Sequence, residues 1–503
     1  MSNHLFDLIR YAAREEALFI ETGQGKRITY GDMLALSARF ANLMRDLNIV
    51  PGDRVVVQTE KSPEVVALYL GAVRAGAIYL PLNTGYTPAE MDYFIQDSEP
   101  VLIVVSKQKY ESIRAMALPS SVRAVLVLDE AGGGSLMEQA ASKPAHFDDC
   151  PRGEDDIAAI LYTSGTTGRS KGAMLSHGNL ASNAVTLVRE WRFTSNDVLL
   201  HALPIFHTHG LFVAINTTLL AGGAMLFLNS FDADEILRLM PRATAMMGVP
   251  TFYVRLLKSP NLTRDATAHM RLFVSGSAPL LAETHHEWTA RTGHAILERY
   301  GMTETNMNTS NPYDGARIAG TVGPALPGVD IRITDPATGA TLKSDEIGMI
   351  EIRGPNVFKG YWRNPEKTKS EFRDDGFFIS GDLGRLDDKG YVTIVGRNKD
   401  LIISGGYNVY PKEVESEIDA LEGIVESAVI GVPHPDFGEA VFAVAVRKTG
   451  ATIDEDAVLS ALKDRLARYK NPKRVVFVDD LPRNTMGKVM KADLRARFEN
   501  TFQ

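Results

Sequence analysis

The chain of 503 residues is too long for one ordinary hydrophobic core, so two or more domains are expected. Hydrophobic residues make up 45% and charged residues 23%, which excludes a disordered chain. The formal net charge of −8 argues against nucleic acid or an anionic membrane as a partner, and the single cysteine, Cys150, excludes an internal disulfide and a cysteine-rich metal site.

The first residues do not form a signal peptide, because MSNHLFDLIRYAAREE has no basic segment followed by an apolar run. The longest uncharged stretch, residues 207–230, is interrupted by polar residues and by the pair Gly222-Gly223. A membrane span would be more uniformly apolar, so we interpret this stretch as a buried helix, a turn and a strand. We therefore expect a cytoplasmic protein without a membrane partner.

Helical and strand patterns alternate in the first part of the chain. Residues 33–47 carry apolar side chains at spacings of three and four, which predicts one face of a helix. A second helix is predicted over residues 63–75, with Ser62 as its N-cap and a proline at its first position. Alternating elements of this kind predict an α/β layered fold with a largely parallel sheet. Buried strands are predicted at RVVVQ (54–58), VLIVV (101–105) and AVLVL (124–128).

The composition changes after residue 340. Residues 348–397 are rich in strand-forming residues and in Gly/Asp turns, which predicts a β-rich subdomain. From Lys399 onward, helical patterns alternate again with the apolar runs ESAVIGVP, VFAVAV and RVVFV. We place a domain boundary between residues 397 and 398, which separates a large domain (1–397) from a small α+β domain (398–503).

A glycine-rich loop follows the predicted strand at residues 156–162. Its backbone N–H groups and hydroxyls suit phosphate oxygens, and its lysine adds a positive charge. A flexible surface turn is the alternative, but the loop follows a buried strand directly, which favours phosphate binding. The segment GRSK (168–171) differs from the P-loop NTPase motif, which needs adjacent Gly-Lys-Ser/Thr. The predicted ATP-binding residues of the loop are Thr163, Ser164, Gly165, Thr166, Thr167, Gly168, Arg169, Ser170, Lys171 and Gly172.

Together with four later motifs, this loop resembles the acyl-adenylate-forming enzymes, the superfamily of acyl-CoA synthetases and luciferases. The four motifs follow in the family's order: YGMTE (300–304), SGD (380–382), GRNKD (396–400) and PRNTMGK (482–488). The resemblance implies an enzyme that joins a carboxylic acid to coenzyme A in two steps. The acid first displaces pyrophosphate from ATP to form an acyl-AMP, and the thiol of CoA then displaces AMP. ATP and CoA are the implied co-substrates and Mg²⁺ the implied cofactor.

The resemblance also implies roles for individual residues. Glu304 holds magnesium, a cation that prefers oxygen ligands, with Thr163 as the second candidate ligand. Asp382 accepts hydrogen bonds from the ribose hydroxyls, and Arg397 lies near the ribose and phosphates. Tyr300 offers its ring to adenine. Further ATP-binding residues implied around this motif are Glu298, Gly301, Met302 and Thr303.

In the small domain, Lys488 is implied as the catalytic lysine that neutralises charge between the carboxylate and the α-phosphate during adenylation. Lys399 matches the hinge about which the mobile small domain turns between the two steps. The resemblance further implies that a protein acetyltransferase and a deacetylase act on Lys488, since acetylation removes its charge. The residues implied at the CoA tunnel are Ser404, Gly405, Gly406 and Tyr407.

Two arginines narrow the range of acids that the enzyme could use. Many family members that act on fatty or aromatic acids have glycine before the YG of YGMTE, whereas this chain has Arg299, and Arg255 lies on the helix after Val249-Pro250. A buried cation suits a dicarboxylate, because the carboxylate that is not adenylated needs a partner. The stretch is similar to malonyl-CoA synthetases, which implies malonate as the acid, with methylmalonate as a related one. Arg255, Arg299 and Ser277 are the implied binders of its free carboxylate, and His207 lies at the acyl or pantetheine entrance.

Several alternatives stay open from the sequence. Arg255 can be a solvated helix residue, and Arg299 can be an ion-pair partner of Glu298. The acid can be a short or medium-chain monocarboxylate, and the acceptor can be a free carrier protein rather than CoA. A luciferase-like oxygenase would share these motifs, whereas the presence of Glu304, Asp382, Arg397 and Lys488 disfavours an inactive binding protein. Zinc is rejected because no carboxylate or cysteine accompanies His207 and His209 at ligand spacing.

Overall fold

The computed structural model describes residues 3–163, 170–405, 407–463, 465–484 and 487–502. The chain divides into two compact units. The first unit contains residues 1–330 and 353–378, and the second contains residues 331–352 and 379–503. The predicted boundary between residues 397 and 398 stays a prediction.

The first unit contains thirteen of the described α-helices and fourteen of the described strands. The helices are α1 (His4–Ala12), α2 (Tyr30–Asp46), α3 (Pro63–Ala75), α4 (Pro88–Ser98), α5 (Tyr110–Arg114), α6 (Ser135–Ala141), α7 (His177–Glu190), α8 (Asn216–Ala221), α9 (Ala233–Leu239), α10 (Pro250–Leu257), α11 (Arg264–Thr267), α12 (Ala282–Thr292) and α13 (Pro365–Ser370), with a π-helix at His209–Ile215. The strands are β1 (Leu18–Thr22), β2 (Arg27–Thr29), β3 (Arg54–Gln58), β4 (Ile78–Pro81), β5 (Leu102–Val105), β6 (Ala124–Val127), β7 (Ile157–Thr163), β8 (Lys171–Ser176), β9 (Val198–His201), β10 (Ala224–Phe227), β11 (Ala245–Gly248), β12 (Leu272–Ser275), β13 (Leu297–Met302) and β14 (Asn306–Ser310).

Two sheets carry the core of this unit. The six-stranded sheet has the order β6-β5-β3-β4-β7-β8 and is parallel except for the pair β7–β8. The eight-stranded sheet has the order β14-β13-β12-β11-β9-β10-β1-β2 and is parallel except at its two ends. Strands of such sheets are covered on both faces, which explains why the three central residues of β3 and all of β5 are apolar. The predicted α/β fold is confirmed.

Local signals in the sequence give the helix ends. The predicted helix at residues 63–75 has those bounds in α3, and the Ser62 hydroxyl accepts a hydrogen bond from the Val65 N–H. Thr29 and Asp32 form a capping box at the start of α2. The uncharged stretch at residues 207–230 forms helix, turn and strand as predicted, ending in β10. None of the described helices is long and apolar enough to span a membrane.

The second unit contains two further sheets. A four-stranded sheet has the order β15-β16-β17-β18, and a five-stranded sheet has the order β20-β19-β22-β21, with β23 paired to β22. The long strands β21 and β22 pack one face against α14 and α15 and the other against α16. The elements are β15 (Asp330–Thr334), β16 (Gly348–Arg353), β17 (Phe378–Leu386), β18 (Val392–Arg397), β19 (Ile402–Ser404), β20 (Tyr407–Val409), β21 (Ile424–His434), β22 (Gly438–Arg447), β23 (Arg474–Val478), α14 (Pro411–Asp419), α15 (Glu455–Leu462) and α16 (Lys491–Phe498).

Candidate active site

Arg299 lies inside the first unit with only 3% of its surface exposed. The register of β12 and β13 pairs Ser275 with Glu298, which brings Arg299 beside Gly276 at the end of β12. A Cβ at Gly276 would lie 2.4 Å from the guanidinium carbon, so the arginine fits there only because residue 276 is glycine. Among the described residues, neither Nε nor Nη2 of Arg299 has a hydrogen-bond partner. Burial lowers the pKa of Arg299 to about 9, which leaves it charged at neutral pH.

Two histidines and a serine line the same region. The Ser277 hydroxyl lies 3.2 Å from His209 Nδ1, and Ser277 has a left-handed backbone with φ of +72°. Burial and the nearby Arg299 charge lower the pKa of His207 to about 4 and that of His209 well below its ordinary value. Both imidazoles are therefore neutral at pH 7. His209 is the first residue of the π-helix, an irregularity that recurs at functional sites.

A buried lysine, Lys61, is connected to this π-helix through His201. Lys61 Nζ donates to His201 Nδ1 at 2.8 Å and to the His201 carbonyl at 3.0 Å, and it lies 4.3 Å from the Phe227 ring centroid. His201 Nε2 donates to the Gly210 carbonyl at 2.9 Å, which assigns Nδ1 as the acceptor. Neither residue was identifiable from the sequence, since 140 positions separate them and no local pattern links them.

Arg255, the other predicted arginine, is exposed on the last turn of α10. Its guanidinium lies 5.7 Å from the Phe231 ring centroid. Among the described contacts it touches neither Ser277 nor Arg299. The structure therefore brings together Arg299, Ser277, His207 and His209, and it leaves Arg255 outside that cluster. The alternative in which Arg299 pairs with Glu298 does not match the contacts described for Arg299.

Glu304 occupies the turn between β13 and β14 and is 6% exposed. The Tyr361 hydroxyl lies 3.1 Å from Glu304 Oε1 and 2.6 Å from Glu371 Oε2. Lys171 Nζ lies 3.6 Å from Glu371 Oε1 and 4.6 Å from the Tyr361 ring centroid. The end of the predicted phosphate loop and the predicted metal ligand thus share one network. Neither Tyr361 nor Glu371 was identified from the sequence.

The strands β7 and β8 hold the two ends of the glycine-rich loop. Thr163 is paired with Lys171 in their register, and its hydroxyl lies 3.4 Å from the Lys171 carbonyl. Tyr93 donates its hydroxyl to the Ser170 carbonyl at 2.7 Å. Gly172, the last residue of the predicted loop, lies on β8. The predicted residues outside the described part of the chain are Ser164, Gly165, Thr166, Thr167, Gly168 and Arg169.

The remaining predicted nucleotide residues of this unit follow on β13 and its turn. Tyr300 is 7% exposed, and its hydroxyl lies 3.9 Å from the Met302 sulfur. Gly301 cannot carry a side chain, because a Cβ there would lie 1.8 Å from the Asn306 carbonyl oxygen. Glu298 accepts a hydrogen bond from the Gly320 N–H at 3.3 Å. Thr303 precedes Glu304 in the turn.

No group of three or more His, Cys, Asp or Glu side chains among the described residues forms a metal site. Mg²⁺ commonly uses one or two carboxylates together with phosphates and water. Glu304 would supply a carboxylate, and Thr163, whose hydroxyl lies near the Lys171 carbonyl, would supply a hydroxyl. The donor set fits a magnesium ion that arrives with a nucleotide.

In the second unit, Asp382 and Arg397 face each other across β17 and β18, with Arg397 Nε 3.2 Å from Asp382 Oδ1. Lys488 lies close to both. Burial, followed by the charges of Arg397 and Lys399, lowers the pKa of Lys488 to about 8. Burial also lowers the pKa of Lys399, which lies in the short helical turn Asn398–Asp400.

The turn that carries Lys488 is held by its neighbours within the second unit. The Lys488 N–H donates to Asn484 Oδ1 at 2.9 Å, and Arg483 donates to the Gly487 carbonyl at 2.7 Å. Arg483 also pairs with Glu426. The first two bonds hold the peptide group that joins Gly487 to Lys488.

Of the predicted CoA residues, Ser404 ends β19, Gly405 follows it and Tyr407 begins β20. Ser404 is buried, and Gly405 has a φ of +59°. Tyr407 is 59% exposed and stacks on Tyr469 with ring centroids 4.7 Å apart. Gly406 lies outside the described residues.

Comparison with known proteins places these features in a family. The sequence matches the AMP-binding enzyme family over residues 9–362 and its C-terminal domain over residues 413–488. The structure is similar to ATP-bound MatB from Rhodopseudomonas palustris, which is 62% identical, with a TM-score of 0.98 and 100% of both chains covered.

Two further relatives cover most of the chain. A malonate–CoA ligase of Arabidopsis thaliana is 34% identical over 99% of this chain and 91% of the relative. A feruloyl-CoA synthase of an Amycolatopsis species is 37% identical over 94% of each. These relatives are named for different acids, so their names do not decide the acid. The ordered motifs, the fold and the matches agree that the chain belongs to the AMP-binding enzyme family and is an adenylate-forming CoA ligase.

Proposed function

We propose that this enzyme forms malonyl-CoA from malonate, ATP and CoA, through malonyl-AMP, with release of pyrophosphate and AMP. Methylmalonate is the related acid that the same site would accept. The observation that carries the proposal is the buried Arg299 guanidinium, two of whose nitrogens have no partner among the described residues. An unpaired buried charge is destabilising, and a carboxylate is the ligand that satisfies a guanidinium with two parallel hydrogen bonds.

The surroundings of Arg299 support an anionic ligand of small size. His207 and His209 are neutral at pH 7, so they add polar groups to the pocket without a competing charge. The Ser277 hydroxyl, which contacts His209, can hydrogen-bond a carboxylate oxygen. Arg255 remains a proposed second binder, although it is exposed on α10 and its guanidinium lies over the Phe231 ring. The malonate–CoA ligase relative adds support from sequence.

In the proposed adenylation step, Arg299 holds one carboxylate of malonate and leaves the other to attack the α-phosphate. Glu304 and Thr163 would hold Mg²⁺, which supplies positive charge to the phosphates when bound. Asp382 and Arg397 bind the ribose and phosphate region, and Tyr300 lies against adenine. Lys488 neutralises the negative charge that collects where the carboxylate oxygen meets the α-phosphate.

In the proposed second step, the small domain turns about Lys399, and Ser404, Gly405, Gly406 and Tyr407 then face the tunnel for the pantetheine arm of CoA. The CoA thiol then attacks the acyl carbon and AMP leaves. Because adenylation depends on the charge of Lys488, acetylation by a protein acetyltransferase would stop the first step, and a deacetylase would restore it.

A panel of acids tests the proposal. Purified enzyme is incubated with ATP, Mg²⁺, CoA and malonate, methylmalonate, acetate, propionate or octanoate, and AMP and acyl-CoA are measured. We expect AMP and malonyl-CoA in equal amounts with malonate, and little product with the monocarboxylates. Faster turnover of a monocarboxylate would refute malonate as the acid. AMP formation that needs a carrier protein instead of CoA would refute CoA as the acceptor.

A further inference from the structure

Tyr361 connects two carboxylates that have different tasks. Its ring is buried, with 3% of the residue exposed, and its hydroxyl lies within hydrogen-bond distance of both Glu304 and Glu371. The backbone reinforces this arrangement, because the Phe358 N–H donates to the Glu304 carbonyl at 2.8 Å. The segment before α13 is therefore attached to the turn that carries Glu304 by both main chain and side chain.

A tyrosine hydroxyl has a single hydrogen to donate, and an ionised carboxylate can only accept. Glu304 and Glu371 therefore share one donor, and the shorter distance of 2.6 Å belongs to Glu371. Glu371 also forms ion pairs with Lys367 at 2.6 Å and with Lys171 at 3.6 Å, so its charge is balanced by two cations. Glu304 holds the longer bond of 3.1 Å.

We propose that Tyr361 and Glu371 are positioning residues for the metal–nucleotide site: Tyr361 orients the Glu304 carboxylate toward Mg²⁺, and Glu371 holds Lys171 where it can meet the phosphates. The inference rests on the proposed role of Glu304. Groups of this kind, hydrogen-bonded to a ligating carboxylate, typically change metal affinity 10- to 100-fold when removed.

The same network explains how Lys171 is kept near the phosphate loop. Lys171 lies over the Tyr361 ring at 4.6 Å, and its ammonium is shared with Glu371 at a distance longer than a strong ion pair. An incoming phosphate can therefore take over the lysine without breaking a tight bond. Tyr361 thus contacts the metal ligand through its hydroxyl and the phosphate lysine through its ring.

The test is the effect of Tyr361→Phe on nucleotide binding in the absence of any acid, so that no reaction occurs. Dissociation constants for ATP are measured by calorimetry in EDTA and in excess Mg²⁺, and their ratio reports the preference for the metal-bound nucleotide. We expect this ratio to fall about 10- to 100-fold in Tyr361→Phe. Binding in EDTA should change little, because the ring and Lys171 remain.

Tyr30→Phe is the matched control. It also removes a buried hydroxyl, which donates to the Gly223 carbonyl at 2.8 Å away from this network, and its Mg²⁺ ratio should equal that of the wild type. If the Mg²⁺ ratio falls in Glu304→Gln but not in Tyr361→Phe, the proposal for Tyr361 is overturned and the assignment of Glu304 to magnesium stands. If the ratio falls in neither variant, the proposal and the magnesium assignment are both overturned.

Glu371→Gln provides a second variant in case Tyr361→Phe does not fold. It weakens the competing acceptor, so the hydroxyl should turn toward Glu304 and the Mg²⁺ ratio should be kept or increased, whereas ATP binding in EDTA should weaken because Glu371 no longer holds Lys171. A collapse of the ratio in a folded Glu371→Gln protein would show that the hydroxyl does not act on Glu304, and the proposal would be abandoned.

Discussion

Replacing Arg299 by methionine should lower activity with malonate and stabilise the free enzyme at the same time. Methionine keeps most of the side-chain length beside Gly276 and removes the charge. Burial lowers the pKa of Arg299 to about 9, which corresponds to roughly 5 kcal/mol against the charged form. Replacing a buried charge by an apolar group commonly stabilises a protein by about 1–4 kcal/mol. We therefore expect the melting temperature without ligands to rise by a few degrees.

Malonate should lose its partner in the same variant. Truncating one member of a buried, hydrogen-bonded charge pair costs about 2–5 kcal/mol, which corresponds to a decrease in kcat/KM of roughly 30- to 4,000-fold. ATP affinity should stay unchanged, because Arg299 does not belong to the nucleotide network. The assays are steady-state kinetics with malonate, thermal unfolding and ATP binding.

Two control variants separate the explanations. Arg299→Lys keeps a charge without the planar fork and should lie between wild type and Arg299→Met. Arg255→Met removes an exposed arginine, and a smaller loss there would match its position on α10. Arg299→Met with unchanged malonate kinetics, or with a clearly lower melting temperature, would show that the guanidinium supports the fold.

Three further predictions concern the second unit and the acid pocket. Lys488→Ala should lower malonate-dependent ATP–pyrophosphate exchange by about 10²–10³-fold, yet spare CoA attack on added malonyl-AMP; equal loss of both steps would contradict the assignment. The pKa of about 8 for Lys488 predicts that kcat/KM for adenylation falls as pH rises through 8, since the neutral amine carries no charge. Lys488→Arg should move this decline to higher pH, and an unmoved decline would assign it to another group. Gly276→Ala should decrease kcat/KM for malonate at least about 10-fold by displacing Arg299. Gly153→Ala should not, because an added Cβ there would meet only Asp156 Oδ2, at 3.9 Å.

The elements with local signals were predictable from the sequence. The helix α3 has the predicted bounds because Ser62 and Pro63 are start signals that act within one turn. The strands β5 and β6 each lack one residue of the predicted runs, although the N–H groups of Val101 and Leu128 still donate to carbonyls of the neighbouring strands. The ordered motifs identified the family correctly, since they depend on residue type and spacing alone.

The contacts within the site were harder to predict from the sequence. Tyr361 and Glu304 are 57 positions apart, and Lys61 and His201 are 140 apart, so only the fold brings each pair together. The sequence could not tell whether Arg299 or Arg255 is buried, because burial depends on the neighbouring strand. Packing also groups residues 331–352 and 379–397 with the C-terminal part of the chain, a long-range association that composition does not report.

The most direct test of the acid assignment is ATP–pyrophosphate exchange without CoA, measured with malonate and with propionate. Propionate has a methyl group where malonate has its second carboxylate, so the ratio of the two exchange efficiencies measures recognition of that carboxylate alone. A site built for a charged group should favour malonate by up to about 10⁴-fold. Equal exchange with the two acids would contradict the role of Arg299 and the proposal that malonate is the substrate.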